Sequence, residues 1–526
     1  MDAHRGLLSQ VHFAPYVPIW RLELAKSYAS LGYPDLAAGE AYMALLLSDE
    51  IQDESGEYHD EVIEAVTLLH LLPTINGGQK GFGPDSLSED DILSWTLNSV
   101  EKVSYELLSR YLIDCGCLRS AAEFTSRGLR KFSTNAVLTQ NLASIHKRAG
   151  KGCDFDPTFE SYPERTFVRR ELYPWHSFEP DRFTTESLQA LNDQLGKVAP
   201  KLEVKSVELP ELRSERPDAT SRQLGVFAKE DLSPGDIILV EKSLLTGTTR
   251  LHDSYCDACS LSLTGLGSAV SCPECMVAVF CGQDCLDLAT ESYHTALCGT
   301  DVSSLQRNIP ATEAADALYS QLLLRAFAMS VAQDCHPLEL PEVKYIWGDH
   351  KLAQHDPTTH SDDPFHHQPR TLPFSFQNNV LLPIHILEKM DVNIFSTQAR
   401  FDPWVTNTLY AKFRGTASAK LGPTALPEIG AVHPLWCLTN HSCDPNVAWE
   451  WEGTMRFWVR ENRALWDGKK SAKPPGIRAG DEILSHYCDI RLPVKERREW
   501  ASGALGGDCA CERCLWEDKQ SDKSDG

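Results

Sequence analysis

Eight potential metal ligands crowd into 43 residues of this chain, and no other feature restricts its fold as tightly. They are Cys256, Cys259, Cys272, Cys275, Cys281, Cys285, His294 and Cys298, spaced as CxxC, CxxC, CxxxC and HxxxC. Each pair sets two donors on one tight turn or one helical face, the arrangement tetrahedral zinc requires, and eight donors make two ions. Farther on, Cys509, Cys511 and Cys514 form CxCxxC, one thiolate short of a tetrahedron. The chain has 17 cysteines, an odd number, and its first 20 residues show no basic stretch followed by an apolar one. A disulfide framework is therefore disfavoured, and the cytosol or the nucleus is the expected location. Cys115, Cys117, Cys153, Cys335, Cys437 and Cys488 fall in no ligand pattern and are expected to be core thiols.

At 526 residues the chain is too long for one compact domain; three or four are expected. Its 42% hydrophobic and 24% charged residues are an ordinary globular balance. The formal net charge of −24 argues against direct nucleic-acid binding, which rests on clustered Lys and Arg. A basic protein segment remains a suitable partner for such a surface. No apolar run is long enough to span a membrane.

Residues 1–155 read as helical. RLELAKSYASLGYPDLAAGEAYMALLL has apolar and small residues at helical spacing, broken at Gly32-Tyr33-Pro34. Ala37, Ala38, Ala41 and Ala44 allow a second helix to pack closely. SYELLSRYLIDCGCLRSAAEFTSRGLRKFSTNAVLTQNLASIHK repeats the design around a Cys-Gly-Cys break. The pattern resembles tetratricopeptide repeats, which would offer a groove for a partner; an irregular helical bundle is the other reading. Residues 156–217 read as a linker. The polar stretch 348–372, with His350, His355, His360, His366 and His367, reads as a solvated insertion and not as a metal site.

SRQLGVFAKEDLSPGDIILVEK predicts two strands and a turn at Pro234-Gly235, on their own a common hairpin. Downstream stand NHSCDPNV and, later, GDEIL-x-x-Y. Together these motifs are similar to the core of the SET domain, the fold of protein lysine methyltransferases. The segment 256–298 resembles a MYND zinc finger, whose acidic-to-neutral composition fits protein contact better than nucleic-acid reading. Their order resembles that of the SET-and-MYND (SMYD) family.

The resemblance implies interleaved ligation, with Cys256, Cys259, Cys281 and Cys285 on one zinc and Cys272, Cys275, His294 and Cys298 on the other. It implies Cys443 as fourth ligand to Cys509, Cys511 and Cys514, making about three structural zincs. Leu224, Gly225, Asn440, His441 and Tyr487 are the implied S-adenosylmethionine contacts, and Tyr487 the implied catalytic residue. The sequence departs from the family at Gln223, in place of a first glycine, and at Leu505 and Gly507, where aromatics are usual; Trp500 is a candidate substitute. The expected fold is multidomain α+β. Tetratricopeptide-like repeats (1–155) and the linker (156–217) precede SET strands (218–250), the MYND finger (251–298) and a helical insertion (299–432). The SET core (433–492), the post-SET segment (493–516) and a disordered tail (517–526) follow. The expected function is S-adenosylmethionine-dependent protein-lysine methylation, histones being one possible substrate class, with an inactive SET/MYND scaffold as the alternative.

Overall fold

The computed structural model describes residues 1–71, 88–151, 158–212, 219–250, 253–302, 313–348, 350, 370–422, 426–469, 475–505 and 507–524. The chain divides into two compact units, Met1–Trp175 with Lys351–Thr408, and His176–His350 with Leu409–Gly526. The architecture mixes helices and strands, as the sequence predicts. No helix among the described residues is long and apolar enough to cross a membrane.

The first unit is built mainly of helices. Pro18–Ser30 and Pro34–Gln52 each begin on a proline, whose missing N–H costs nothing in a first turn. Gly32, at φ 78°, makes the turn between them. Ala37, Ala38, Ala41 and Ala44 are fully buried, the close contact their size permits. Lys102–Cys115 ends at Gly116, a left-handed cap with φ 93°, and Leu118–Lys131 and Ala136–Arg148 follow. Asn135 caps the last of these by accepting from the Leu138 N–H. Arg21 is wholly buried and donates to the Pro15 and Phe395 carbonyls, to Gln398 and to Glu40. Such a network specifies one arrangement more than it adds stability.

The second unit holds a three-stranded sheet in the order Val447–Trp451, Met455–Val459, Ile237–Glu241. A second sheet runs Thr246–Thr248, Pro427–Ala431, Ser418–Leu421. A long antiparallel ribbon joins Leu202–Pro210 to Thr220–Ala228, from Leu202 opposite Ala228 to Pro210 opposite Thr220. Asn440–His441 lies parallel to Leu484–Ser485. One core unites these pieces, with Leu195, Val204, Val226, Leu239, Val447, Phe457 and Ile483 nearly free of solvent.

Three sequence expectations are corrected. Residues 156–217 are not merely a linker: they hold the strand Thr166–Arg169, the helix Thr185–Val198 and the strand Leu202–Pro210. In LEVKSVEL the apolar residues alternate with Lys and Glu, so one buried face was hidden among charges; Leu202 and Val204 are 2% and 3% exposed. Thr220–Ala228 and Ile237–Glu241 do form, but not as a hairpin with each other: the first pairs with the strand just before it, Leu202–Pro210, and the second with the remote Met455–Val459. The insertion 299–432 is neither wholly helical nor one piece. It contributes Ser418–Leu421 and Pro427–Ala431 to a sheet of the second unit, while 370–408 belongs with the N-terminal helices. There Phe395 packs against Tyr16 and Tyr58. His350 is buried; His355, His360, His366 and His367 lie outside the described residues, as does Cys153.

Candidate methyl-transfer site and thiol clusters

Twelve predicted ligands gather into three groups of four, each with its donor atoms within 4.8 Å of one another. They are Cys256/Cys259/Cys281/Cys285, Cys272/Cys275/His294/Cys298 and Cys443/Cys509/Cys511/Cys514. Sulfurs about 2.3 Å from a central zinc lie about 3.8 Å apart along the edges of their tetrahedron. The observed separations bracket that value: Cys259–Cys281 3.8 Å, Cys272–Cys298 3.9 Å, Cys281–Cys285 3.4 Å and Cys514–Cys443 3.4 Å. Cys275 Sγ lies 3.7 Å from His294 Nε2. The donor sets therefore fit zinc in both chemistry and spacing. Local structure explains how. Cys256 and Cys272 each open a tight turn in which the carbonyl accepts from the N–H four residues on, with Ser260 and Met276 at positive φ. Cys285 enters on the first turn of the helix Gln283–Ser292.

A second constellation surrounds Asn440. Its Nδ2 donates to the Leu224 carbonyl at 3.0 Å and to Glu482 Oε1 at 2.7 Å. The strand Thr220–Ala228 brings Gly225 against the same pair. A Cβ on Gly225 would stand 2.7 Å from Glu482 Oε1, 3.1 Å from the Phe227 ring and 3.2 Å from Asn440 Nδ2, so a larger residue would have to displace the Glu482 carboxylate. Gln223 pairs its backbone with Val207 and turns its amide to the Ser221 hydroxyl.

Tyr487 stands on the other side of His441. Its hydroxyl donates to the Thr439 carbonyl at 2.5 Å, and burial pushes its pKa up. Its backbone N–H donates to His441 Nδ1 at 3.0 Å. Nδ1 must then be the unprotonated nitrogen, so Nε2 carries the hydrogen and points it at Cys443 Sγ, 3.3 Å away. Burial lowers the His441 pKa to about 4, which keeps this neutral tautomer. His441 also groups with Cys443 and Cys488, yet an Nε2–H cannot ligate a metal; the imidazole serves the cluster as a donor to thiolate sulfur. Trp436 packs against Tyr487 and Trp449, and Glu241 holds its backbone by accepting from the Leu435 and Trp436 N–H groups.

The family model of the SET domain matches residues 223–469. The chain carries a SET domain. The matched span takes in Leu224, Gly225, Asn440, His441 and Cys443, whereas Tyr487 and Cys509–Cys514 lie beyond it. Curated relatives match over shorter stretches. The N-lysine methyltransferase SMYD2 of Rattus norvegicus is 31% identical over 93 residues, 18% of this chain and 18% of its own length. The human SMYD2 is 30% identical over 93 residues, with the same coverage. A putative SET domain-containing protein, L678, of Acanthamoeba polyphaga mimivirus is 35% identical over 81 residues, 15% of this chain and 26% of its own. The chain thus spans about a fifth of the SMYD2 relatives' length, and it resembles SET-domain lysine methyltransferases of the SMYD type.

Just beyond the matched span, two residues matter that the sequence patterns did not single out. Cys488 was expected to be an inert core thiol; it is buried beside Cys443, and hydrogen bonding to that thiol holds its pKa below the ordinary value. Glu482 lies inside the GDEIL motif but was read only as part of its spacing. The departures also find their places. Leu505 packs against the Cys443/Cys509/Cys514 cluster, and Gly507 lies against Leu212. Trp500 is 61% exposed, and Trp436 is the aromatic that packs beside Tyr487.

Proposed function

We propose that the chain is an S-adenosylmethionine-dependent protein-lysine N-methyltransferase. The observation that carries the reading is the convergence of the Leu224 carbonyl, Gly225, Asn440 and Glu482 in one corner, with Tyr487 tied to it through His441. The corner lacks a Cβ where a ligand would approach and is rich in acceptors, which fits a cofactor bearing positive charge. Leu224, Gly225, Asn440 and His441 would hold S-adenosylmethionine, which supplies a methyl group on a sulfonium.

The chain's own task is to present a neutral lysine amine in line. A lysine amine near pKa 10.4 costs about 4 kcal/mol to deprotonate at neutral pH. Trp436 and Tyr487 pack together, and an apolar setting beside them would disfavour the ammonium form. Because the Tyr487 hydroxyl spends its hydrogen on the Thr439 carbonyl, its lone pairs are left to accept. They are suited to weak CH···O contacts with a polarised methyl and to orienting the amine.

The three thiol clusters are structural zinc sites in this reading: two in a MYND-type finger for protein contact, the third pinning the post-SET segment over the site. The N-terminal helices, read as tetratricopeptide-like repeats, offer a surface for partner proteins. A nuclear or cytoplasmic location follows from the thiols.

Calorimetric titration of S-adenosylmethionine into the zinc-loaded protein tests the proposal. Saturable binding, weakened by Asn440→Ala, is expected. Leu505 and Gly507 favour one other reading, a SET-fold scaffold without turnover, and absence of binding up to about millimolar cofactor would establish it.

A further inference from the structure

Glu482 is the one feature of the Asn440 corner whose chemistry is still unexplained. It is a half-buried carboxylate, and burial raises its pKa. Among the described residues, no Lys, Arg or His pairs with it. The lysine nearest along the ribbon, Lys205, is engaged by Glu203 and lies over the Phe227 ring. A carboxylate withdrawn from water without a cation is costly, and it persists where a ligand supplies the countercharge.

The hydrogen bonds around it say which kind of ligand. Both hydrogens of Asn440 Nδ2 are spent, one on the Leu224 carbonyl and one on Glu482 Oε1. That fixes the amide, so Asn440 presents Oδ1 as a free acceptor. The corner then offers Asn440 Oδ1, Glu482 Oε2 and the second lone pair of the Leu224 carbonyl. All three are acceptors. Three acceptors, one of them anionic, match an ammonium group, which carries three donors and one positive charge. Gly225 keeps the approach open, since any side chain there would strike Glu482 Oε1 at 2.7 Å. The loop is held in register by the backbone: Ile483 donates to the Val226 carbonyl at 2.7 Å and Ala228 to the Asp481 carbonyl at 3.0 Å.

From this juxtaposition we propose that Glu482 is a cofactor-binding residue whose carboxylate neutralises the α-ammonium of the cofactor's amino-acid end. The inference rests on the S-adenosylmethionine reading above and adds to it a source of selectivity. The cofactor is chosen by its primary amine as well as by its nucleoside.

The test titrates two probes into the full zinc-loaded chain by calorimetry: S-adenosylhomocysteine, and its analogue lacking the α-amino group. The wild type is expected to bind the amine-bearing probe at least about tenfold more tightly, the scale of one charge-assisted pair. Glu482→Gln keeps the shape and removes the charge; it should abolish most of that discrimination while leaving the deaminated probe's affinity unchanged. Equal wild-type affinity for the two probes overturns the proposal, and this needs no variant to fold. Equal losses for both probes in Glu482→Gln also overturn it, because the residue would then only position Asn440. If the wild type binds neither probe, the cofactor reading itself falls and this inference with it. Binding of S-adenosylhomocysteine that Glu482→Gln does not alter removes the inference alone.

Discussion

The backbone N–H of Tyr487 and the sulfur of Cys443 share one imidazole, His441, which accepts from the first at 3.0 Å and donates to the second at 3.3 Å. The geometry of a thiol cluster is thereby carried to Tyr487, the residue proposed to face the reacting amine. Zinc at the Cys443 cluster should therefore matter to chemistry, whereas zinc near Cys256–Cys298 should not.

Metal analysis of the purified chain should find about three zincs. Cys509→Ser should remove one and lower both methyl transfer and cofactor affinity. Cys272→Ser should also remove one, destabilising the finger while sparing cofactor binding. Equal loss of cofactor affinity in the two variants would show that the clusters are not separable in this way.

Tyr487→Phe should cut methyl transfer by at least about a hundredfold, the usual scale for losing one preorganised polar contact. The fold should survive, because the change forfeits one hydrogen bond to the Thr439 carbonyl, worth about 1 kcal/mol. A thermal melt alongside the transfer assay separates the two effects, and undiminished transfer would remove Tyr487 from its role.

Gly225→Ala should weaken cofactor binding sharply. Its Cβ would meet Glu482 Oε1 at 2.7 Å, and overpacking of this kind costs about 1–3 kcal/mol. Calorimetry on the variant reads the loss directly. Wild-type affinity would mean that Glu482 yields freely and that the approach at Gly225 is not tight.

Stability should depend on pH through Glu241. Burial raises its pKa to about 7 even though it accepts from two backbone N–H groups. The folded chain therefore keeps a proton that the unfolded chain releases near pH 4.5, its ordinary value. Glu241's contribution is fully present below that pH and is lost as pH rises towards 7, by about 3 kcal/mol for a fully buried group. Urea unfolding across this range should show the decline, and Glu241→Gln should flatten it; an unchanged slope would exclude Glu241 as the cause.

How much of this could be read from the residues follows from the range of each interaction. The pairs Cys256/Cys259, Cys272/Cys275 and Cys281/Cys285 are legible because their donors are set by single turns, whose geometry lies within a few residues. NHSC and GDEIL are legible as joint motifs. Long-range strand pairing is not: nothing local announces Met455–Val459 as the partner of Ile237–Glu241. Nor does the sequence say that 370–408 leaves its neighbours to join the N-terminal helices. Cys488 and Glu482 went unrecognised for a related reason. Each is an ordinary residue until a remote one, Cys443 or Asn440, is brought beside it.

The Cys443 cluster has a consequence for synthesis. Cys443 and Cys514 are 71 positions apart in the chain. At roughly 5–20 residues per second, several seconds pass between the emergence of the first thiol and the last. For most of that interval, until Cys509 emerges, Cys443 has none of its three partners, and Cys488 arrives before any of them. If the cluster holds zinc as proposed, its closure is a metal delivery that no folding of the chain before Cys509 can anticipate. On the zinc reading, a cell short of zinc would accumulate chains whose Cys443 cluster stays open beside His441 and Tyr487.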